Sequence, residues 1–194
     1  MPVPVLAAAV LCHHEGMSDR SSAAATIAAL RLEPHREGGY FRETYRASSR
    51  VDTPQGVRAA ATSIDFLLTV AQPSRFHRLL SAELWVYRAG APLELWLLGP
   101  DGGVRRLLLG PGGPGERAAE RLTARVAPHV WQGARVVVPA AEPHGPGDEV
   151  GAPCDWSLVS CIVTPGFEYS DFELGRRDLL RVGWPEASAA IDVL

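Results

Sequence analysis

One short stretch joins the two side chains best suited to do chemistry together. Ser74–Gly90 reads SRFHRLLSAELWVYRAG, with His77, then Glu83 six residues later, then Gly90 seven residues after that. A free imidazole titrates near neutral pH, and a neighbouring carboxyl can orient it or take a proton itself. A His–Glu pair in one pocket is therefore equipped for acid–base chemistry. The same pair is also half of a metal centre, which ordinarily needs three or four protein ligands.

The elements that must position this pair are short strands, read from apolar runs with β-branched and aromatic content between turn residues. Phe76–Leu80 and Glu83–Arg88 read as two strands, with a Ser81-Ala82 turn folding the second back beside the first. Strand alternation puts His77 and Leu79 on one side. Glu83 opens the next strand and is expected to reach His77 directly or through one water.

Upstream, the Ala-rich segment Ala23–Leu32 predicts a short helix that Pro34 stops. Gly38-Gly39 permits a tight turn, and His35 just before it reads as a cap of that turn. From Tyr40 to Arg46 the chain alternates, with Tyr40, Arg42, Thr44 and Arg46 on one side and Phe41, Glu43 and Tyr45 on the other. The run SIDFLLTV within Ala59–Ala71 is another strand, and Leu93–Leu98 with Val104–Leu109 predicts a hairpin around Asp101-Gly102-Gly103. Pro111–Gly115 is a loop. Leu122–Val126, Ala134–Pro139 and Trp156–Thr164 read as strands, with Pro128–Gly133 connecting the first two. Residues 140–155 form a Pro- and Gly-rich exposed loop in which His144 is solvated. Asp171–Val182, with Phe172, Leu174, Leu179 and Leu180 apolar, is amphipathic and is expected to contain a short helix. Roughly nine short strands at close spacing argue for an all-β sandwich or small barrel in a single domain.

The 194 residues suffice for one domain with a substantial core. Hydrophobic residues at 46% and charged residues at 21% fit an ordinary soluble protein. The net charge of −3 argues against binding nucleic acid, which needs a basic face. Cys12, Cys154 and Cys161 form no C-x-x-C pair and read as free thiols of a reducing cytosol, so a cytoplasmic protein is expected. No apolar run approaches the roughly 20 residues that span a bilayer, so no membrane partner is expected. Val3–Cys12 is apolar but lacks a preceding Lys or Arg and a clean cleavage site, which argues against a signal peptide. Residues 1–24 are expected to be a poorly ordered extension, with Met17 an alternative start to Met1. Residues 25–185 are then the domain and 186–194 a tail.

Four ordered blocks carry a resemblance: HREGGYFRETYR (35–46), FHRLLSAELWVYRAGAPLELWLLGPDG (76–102), VWQGA (130–134) and SLVSCIVTPGFEYSDFEL (157–174). Together they closely resemble a small family of cupins, with the usual pattern PHPEGGYFRETYRS, FHRxxSDEIWHFYxGxPLEL, VPAGxWQAA and LVGCTVxPGFDFxDFEL. The resemblance spans about residues 26–185 and implies a cupin jelly-roll barrel, similar to the dTDP-sugar 3,5-epimerases, with a short N-terminal helix and a C-terminal helical segment. In the first cupin motif, G-x5-H-x-H-x3–4-E-x6-G, His77, Glu83 and Gly90 hold the first His, the Glu and the last Gly, and Leu79 stands at the second His. In the second motif, P-x-G-x2-H, alignment through Trp131 puts Gln132 at the last ligand place and His129 at the Gly. Alignment through Pro128 puts Gly133 at the ligand place instead.

Metal-binding cupins hold their ion with three His and one Glu. This chain matches one of each, so no metal is expected; if one binds, His77 and Glu83 are its ligands. Without a metal, the resemblance makes His77 a general base with Glu83 as its partner. Gly39, Tyr40, Phe41, Glu43 and Tyr45 match the epimerases' G-[FYW]-F-x-E-x-[FY] strand, which binds nucleotide across a dimer there. Arg42 reads either as a clamp for a phosphate or carboxylate or as a surface ion pair, with Thr44 on its face. Trp85 and Trp131 read as ring-stacking platforms or core residues. Three departures from the family stand out: Ala82 for Asp, Val86 for His, and Asp65 for Tyr. Asp65 is either a new pocket acid or a solvent-facing residue. The substrate-binding candidates are thus Tyr40, Arg42, Glu43, Thr44, Asp65, Trp85, His129, Trp131 and Gln132.

The expected function is a metal-independent isomerase, epimerase or dehydratase acting on a sugar, nucleotide-sugar or related carbonyl compound. A non-catalytic small-molecule-binding cupin and a metal-dependent oxygenase or isomerase are the alternatives. A homodimer is expected, because similar cupins pair through the aromatic-rich strand Tyr40–Arg46.

Overall fold

The computed structural model describes residues 22–112, 120–138 and 154–194. The segment 1–21, most of the loop expected over 140–155 with His144, and the end of the Pro111–Gly115 loop lie outside them. Helix α1 (Ala23–Leu30) comes first, its N-terminus capped by the Ser22 hydroxyl and its end marked by Arg31 in a left-handed conformation. The strands that follow are β1 (Glu33–Pro34), β2 (Tyr40–Arg46), β3 (Arg50–Thr53), β4 (Gly56–Ala59), β5 (Thr62–Thr69), β6 (Ser74–Leu79) and β7 (Ala82–Gly90). The second half carries β8 (Leu93–Leu98), β9 (Val104–Leu109), β10 (Glu120–Arg121), β11 (Thr123–Val126), β12 (Trp131–Val136), β13 (Trp156–Thr164) and β14 (Phe172–Leu174). Helices α2 (Arg177–Gly183) and α3 (Ser188–Val193) close the chain.

Two six-stranded sheets face one another, in the orders β1-β2-β5-β13-β7-β11 and β10-β9-β8-β12-β6-β14. β3 and β4 form a separate ribbon. Every pairing is antiparallel except β10 with β9. The inner faces meet in a core that includes Phe66, Leu68, Trp85, Leu95, Ala134 and Val159. Each of these sits at an alternate position of its strand, as burial of one sheet face requires. The outer face of the first sheet is part-covered by α1, through Leu32, Leu67, Trp156 and Leu158. The outer face of the second sheet is covered by the C-terminal helices, through Phe76, Leu98, Leu180, Ala190 and Ile191. Among the described residues no helix is long and apolar enough to cross a membrane.

The expected all-β architecture and the Asp101-Gly102-Gly103 hairpin are present, and four local expectations are corrected or refined. First, β6 and β7 do not lie side by side. β6 is held between β12 and β14, while β7 is held between β13 and β11 in the opposite sheet. The link at Leu80-Ser81 has none of the residues of a tight hairpin turn and instead crosses the sandwich. Second, the strand expected at Ala134 starts at Trp131, because Trp131 packs beneath the C-terminal helices and Gln132 pairs with His77. Third, the short helix expected within Asp171–Val182 is present as α2 from Arg177, while Phe172–Leu174 adds to the edge of β6 as β14. Leu179 is left exposed and only Leu180 of α2 is buried. Fourth, residues 186–194 are no loose tail, as Ala187, Ala190, Ile191 and Leu194 are buried.

Candidate functional site

The sheets enclose a cavity of about 120 Å³. β6 contributes His77 and Leu79, and β7 contributes Glu83 from the opposite sheet. Cys161 of β13, Ile64 and Phe66 of β5, and Phe41, Glu43 and Arg46 of β2 complete the first-sheet wall. The turn after β13 adds Phe167, Glu168, Tyr169 and Phe172. That turn is fixed by Arg58, whose Nε and Nη2 donate to Asp171 at 2.6 and 2.7 Å. Because β6 and β7 belong to different sheets, His77 and Glu83 face the cavity from opposite layers.

The loop before β2 brings in two further groups, His35 and Glu37. Gly38 and Gly39 make this possible, with φ of 117° and 66°. A Cβ on Gly38 would sit 2.0 Å from the Pro73 carbonyl oxygen, and one on Gly39 would sit 2.5 Å from Leu68 Cδ2. Two bare residues thus let the loop press onto β5 and β6, which turns the Glu37 side chain inward. The Ser74 hydroxyl donates to Glu37 Oε1 at 2.7 Å. His35 Nδ1 and His77 Nδ1 lie 3.3 and 3.4 Å from Glu37 Oε2. His77 Nδ1 is also 2.9 Å from the Arg75 carbonyl oxygen. Both neighbours of Nδ1 are acceptors, so that nitrogen carries the hydrogen in the neutral ring and Nε2 is left as the basic atom.

Glu83 is held by a chain running the other way. The Gln132 amide nitrogen donates to Glu83 Oε2, and the Trp85 indole N–H donates to Gln132 Oε1 at 2.9 Å. All three residues are buried, with Trp85 fully so. Cys161 lines the same cavity from β13. No ion pair joins Glu83 to His77 directly; the carboxylate at hydrogen-bond range of His77 is Glu37.

The two carboxyls are pushed apart in acidity. Burial pushes Glu37 up, but the His77 charge, His35 and the Ser74 hydroxyl pull it back below its ordinary range. Burial also pushes Glu83 up; His77 opposes this, the Glu37 charge adds to it, and Gln132 and Cys161 offset only part, so Glu83 ends above its ordinary range. Burial, then the Glu83 and Glu37 charges, push the Cys161 thiol well up. The two carboxyls are thus shifted in opposite directions, Glu37 downward beside the imidazole and Glu83 upward across the cavity.

Known proteins bear on this geometry. The family model described as Cupin superfamily (DUF985) matches residues 24–175. The chain belongs to this cupin family. The structure of a hypothetical protein from Leishmania major is 37% identical, with a TM-score of 0.72, covering 89% of this chain and 97% of that one. A crystal structure of a protein from Shewanella oneidensis is 30% identical, with a TM-score of 0.74, covering 90% of this chain and 98% of that one. No curated protein matches the chain.

As a cupin, the chain can be tested for the metal site that the fold holds elsewhere. The register Gln132↔His77 supports the alignment through Trp131, with Gln132 at the last ligand place. Its amide is used at both ends, by Glu83 and by Trp85. Leu79 lines the cavity at the second His place and offers no donor. The cupin ligand places are thus filled by one imidazole and one hydrogen-bonded carboxyl, fewer than the three or four protein ligands that a first-row metal site ordinarily uses. Among the described residues no three His, Cys, Asp or Glu side chains are grouped to hold an ion.

The cavity brings together His77, Glu83 and Glu43 of the expected set, with Gln132 behind Glu83. Arg42, Thr44 and Tyr40 stand on the other face of β2. A bulge between Glu43 and Tyr45 inserts Thr44, whose hydroxyl donates to the Ser63 carbonyl at 3.2 Å. The bulge flips the alternation, so Arg46 rather than Arg42 joins the cavity. Arg42 pairs with Asp65 at 3.6 Å, and Arg88 approaches the same carboxylate at 3.8 Å. Asp65 is therefore an outer-face residue, not a pocket acid. Asp65, Ser160 and Val86 lie in one cross-strand row, so two departures from the family pattern are neighbours on that outer face. Tyr40 packs with the α1 cluster. Trp85 is core. Trp131 lies under the C-terminal helices with the Arg78 guanidinium 4.6 Å over its ring. His129 is exposed at a positive φ of 66° and does not line the cavity. His35 lines the cavity rather than merely capping its turn. Glu37, His35 and Arg46 had one readable signal, the EGG triplet, which promised a close-packed loop but not the direction of its side chains.

Proposed function

We propose that this cupin is a metal-independent proton-transfer enzyme acting on a small carbonyl compound of the sugar class. The observation that carries the reading is His77, its Nδ1 held between the Arg75 carbonyl and Glu37, facing Glu83 across the cavity. His77 Nε2 takes a proton from the carbon next to the carbonyl. Glu83, when it carries a proton, donates a hydrogen bond to the oxygen on which the negative charge develops. Return of the proton to the same or a neighbouring carbon gives epimerisation or isomerisation, and loss of a β-hydroxyl instead gives dehydration. Glu37 orients the ring and stabilises the imidazolium that forms. Solvent-deuterium exchange tests this: the protein should wash deuterium into the α-carbon of its substrate, and His77→Asn should abolish the exchange.

The same reading takes the protein as a homodimer formed along β2. Beyond Tyr40 and Phe41, which pair with the two-residue β1, the outer edge of β2 has no strand beside it among the described residues. Tyr45 on that edge is 57% exposed, a large aromatic for an unpaired edge.

A further inference from the structure

The charges on the cavity wall are lopsided. Among the described residues that line it are the carboxyls of Glu37, Glu43, Glu83 and Glu168, against the guanidinium of Arg46 alone. That guanidinium is already engaged. Its Nε and Nη2 donate to the two oxygens of Glu43 at 3.1 and 2.8 Å, and its Nη1 donates to Glu168 Oε1 at 2.9 Å. Nη2 also reaches the Phe167 carbonyl oxygen at 3.3 Å. Arg58 and Arg78 stand outside the lining and pair with Asp171 and Glu173. Arg75 donates to the carbonyls of Glu37 and Arg36, and Arg36 itself is exposed, 4.1 Å over the Tyr169 ring. His35 and His77 both direct Nδ1 at Glu37. The remaining wall is largely aromatic, from Phe41, Phe66, Phe167, Tyr169 and Phe172.

An anion entering this space meets carboxylates and finds no guanidinium among the lining residues that is not already paired. A positive group is attracted by the same carboxylates, and an uncharged group meets no like-charge repulsion. We infer that the cavity takes a small cationic or uncharged compound and excludes carboxylates and phosphates. This rests on the cavity being the ligand site, and it narrows the carbonyl substrate proposed above to unphosphorylated compounds. It does not depend on any proton transfer.

Three probes of one shape test it: choline, its uncharged isostere 3,3-dimethyl-1-butanol, and the anion 3,3-dimethylbutanoate. Binding to the full chain is measured by ligand-detected NMR titration at pH 8, where imidazoles are ordinarily neutral. The expected order is choline at least as tight as the alcohol, and the alcohol tighter than the anion by about ten-fold or more. In Glu43→Gln/Glu168→Gln, which unpairs Arg46 at two exposed positions, the anion should gain and choline should lose affinity. Any other order in the wild type, or no saturable binding of the three, overturns the inference. Because the readout is binding, the order can hold while the exchange experiment fails, and the reverse.

Discussion

Replacing Gln132 by Met should be far more damaging than a change of similar volume in an apolar core. Met fills nearly the same space and is the most adaptable apolar side chain, so little cavity or overpacking cost arises. The loss comes from two stranded polar groups. Gln132 is 1% exposed and bridges Trp85 Nε1, on a fully buried ring, to Glu83, which is 6% exposed. Each buried donor or acceptor left without a partner costs about 1–3 kcal/mol, so the substitution should cost about 2–6 kcal/mol. Urea unfolding measures it, as a shift of the midpoint with an unchanged slope. The cost should also be non-additive: Trp85→Phe on the Gln132→Met background removes an N–H that is already stranded, so it should cost less than in the wild type. A loss below about 0.5 kcal/mol would refute the reasoning, since that is the scatter of ordinary surface changes. So would strict additivity in the double variant.

Two other outcomes follow from the same structure. Glu83 has its folded-state pKa raised, so its contribution is fully present below the unfolded pKa and is lost as pH rises through the folded value; Glu37, with its pKa lowered, contributes above the unfolded pKa and loses this as pH falls through the folded value. Denaturation from about pH 4 to pH 8 should therefore show Glu83→Gln gaining on the wild type as pH rises and Glu37→Gln losing ground, whereas parallel profiles would contradict both assignments. Light scattering at micromolar concentration should give twice the chain mass, and Tyr45→Asp should shift it toward the monomer; a wild-type monomer would remove the dimer.

How far the sequence could be read depended on the range of the interaction involved. Alternating apolar positions and Gly or Pro breaks are local, and they located β5, β8, β9 and β13 with little error. The cupin motifs identified the places of His77 and Glu83. What failed was non-local. Whether Leu80-Ser81 turns back or crosses between sheets is decided by the partners of β6 and β7, which lie tens of residues away. The side to which Arg46 points depends on one inserted residue, Thr44, and alternation alone cannot see a bulge. Arg42 looked like an anchor only while the period of two ran unbroken. Glu37 escaped because its inward direction comes from the packing of Gly38 and Gly39 against Pro73 and Leu68, not from any residue type.

The central claim is that His77 is a base inside the cavity and that Glu37, not Glu83, sits at its back. Its most direct test is the rate of deuterium incorporation at the α-carbon, followed by proton NMR in D2O across a panel of small hydroxyketones, sugars and nucleotide-sugars. The wild type should exchange deuterium into at least one uncharged carbonyl compound. His77→Asn should lose about a hundred- to ten-thousand-fold while still folded, and Glu37→Gln should lose less. Undiminished exchange in folded His77→Asn, or no exchange into any compound that the wild type binds, would contradict that claim.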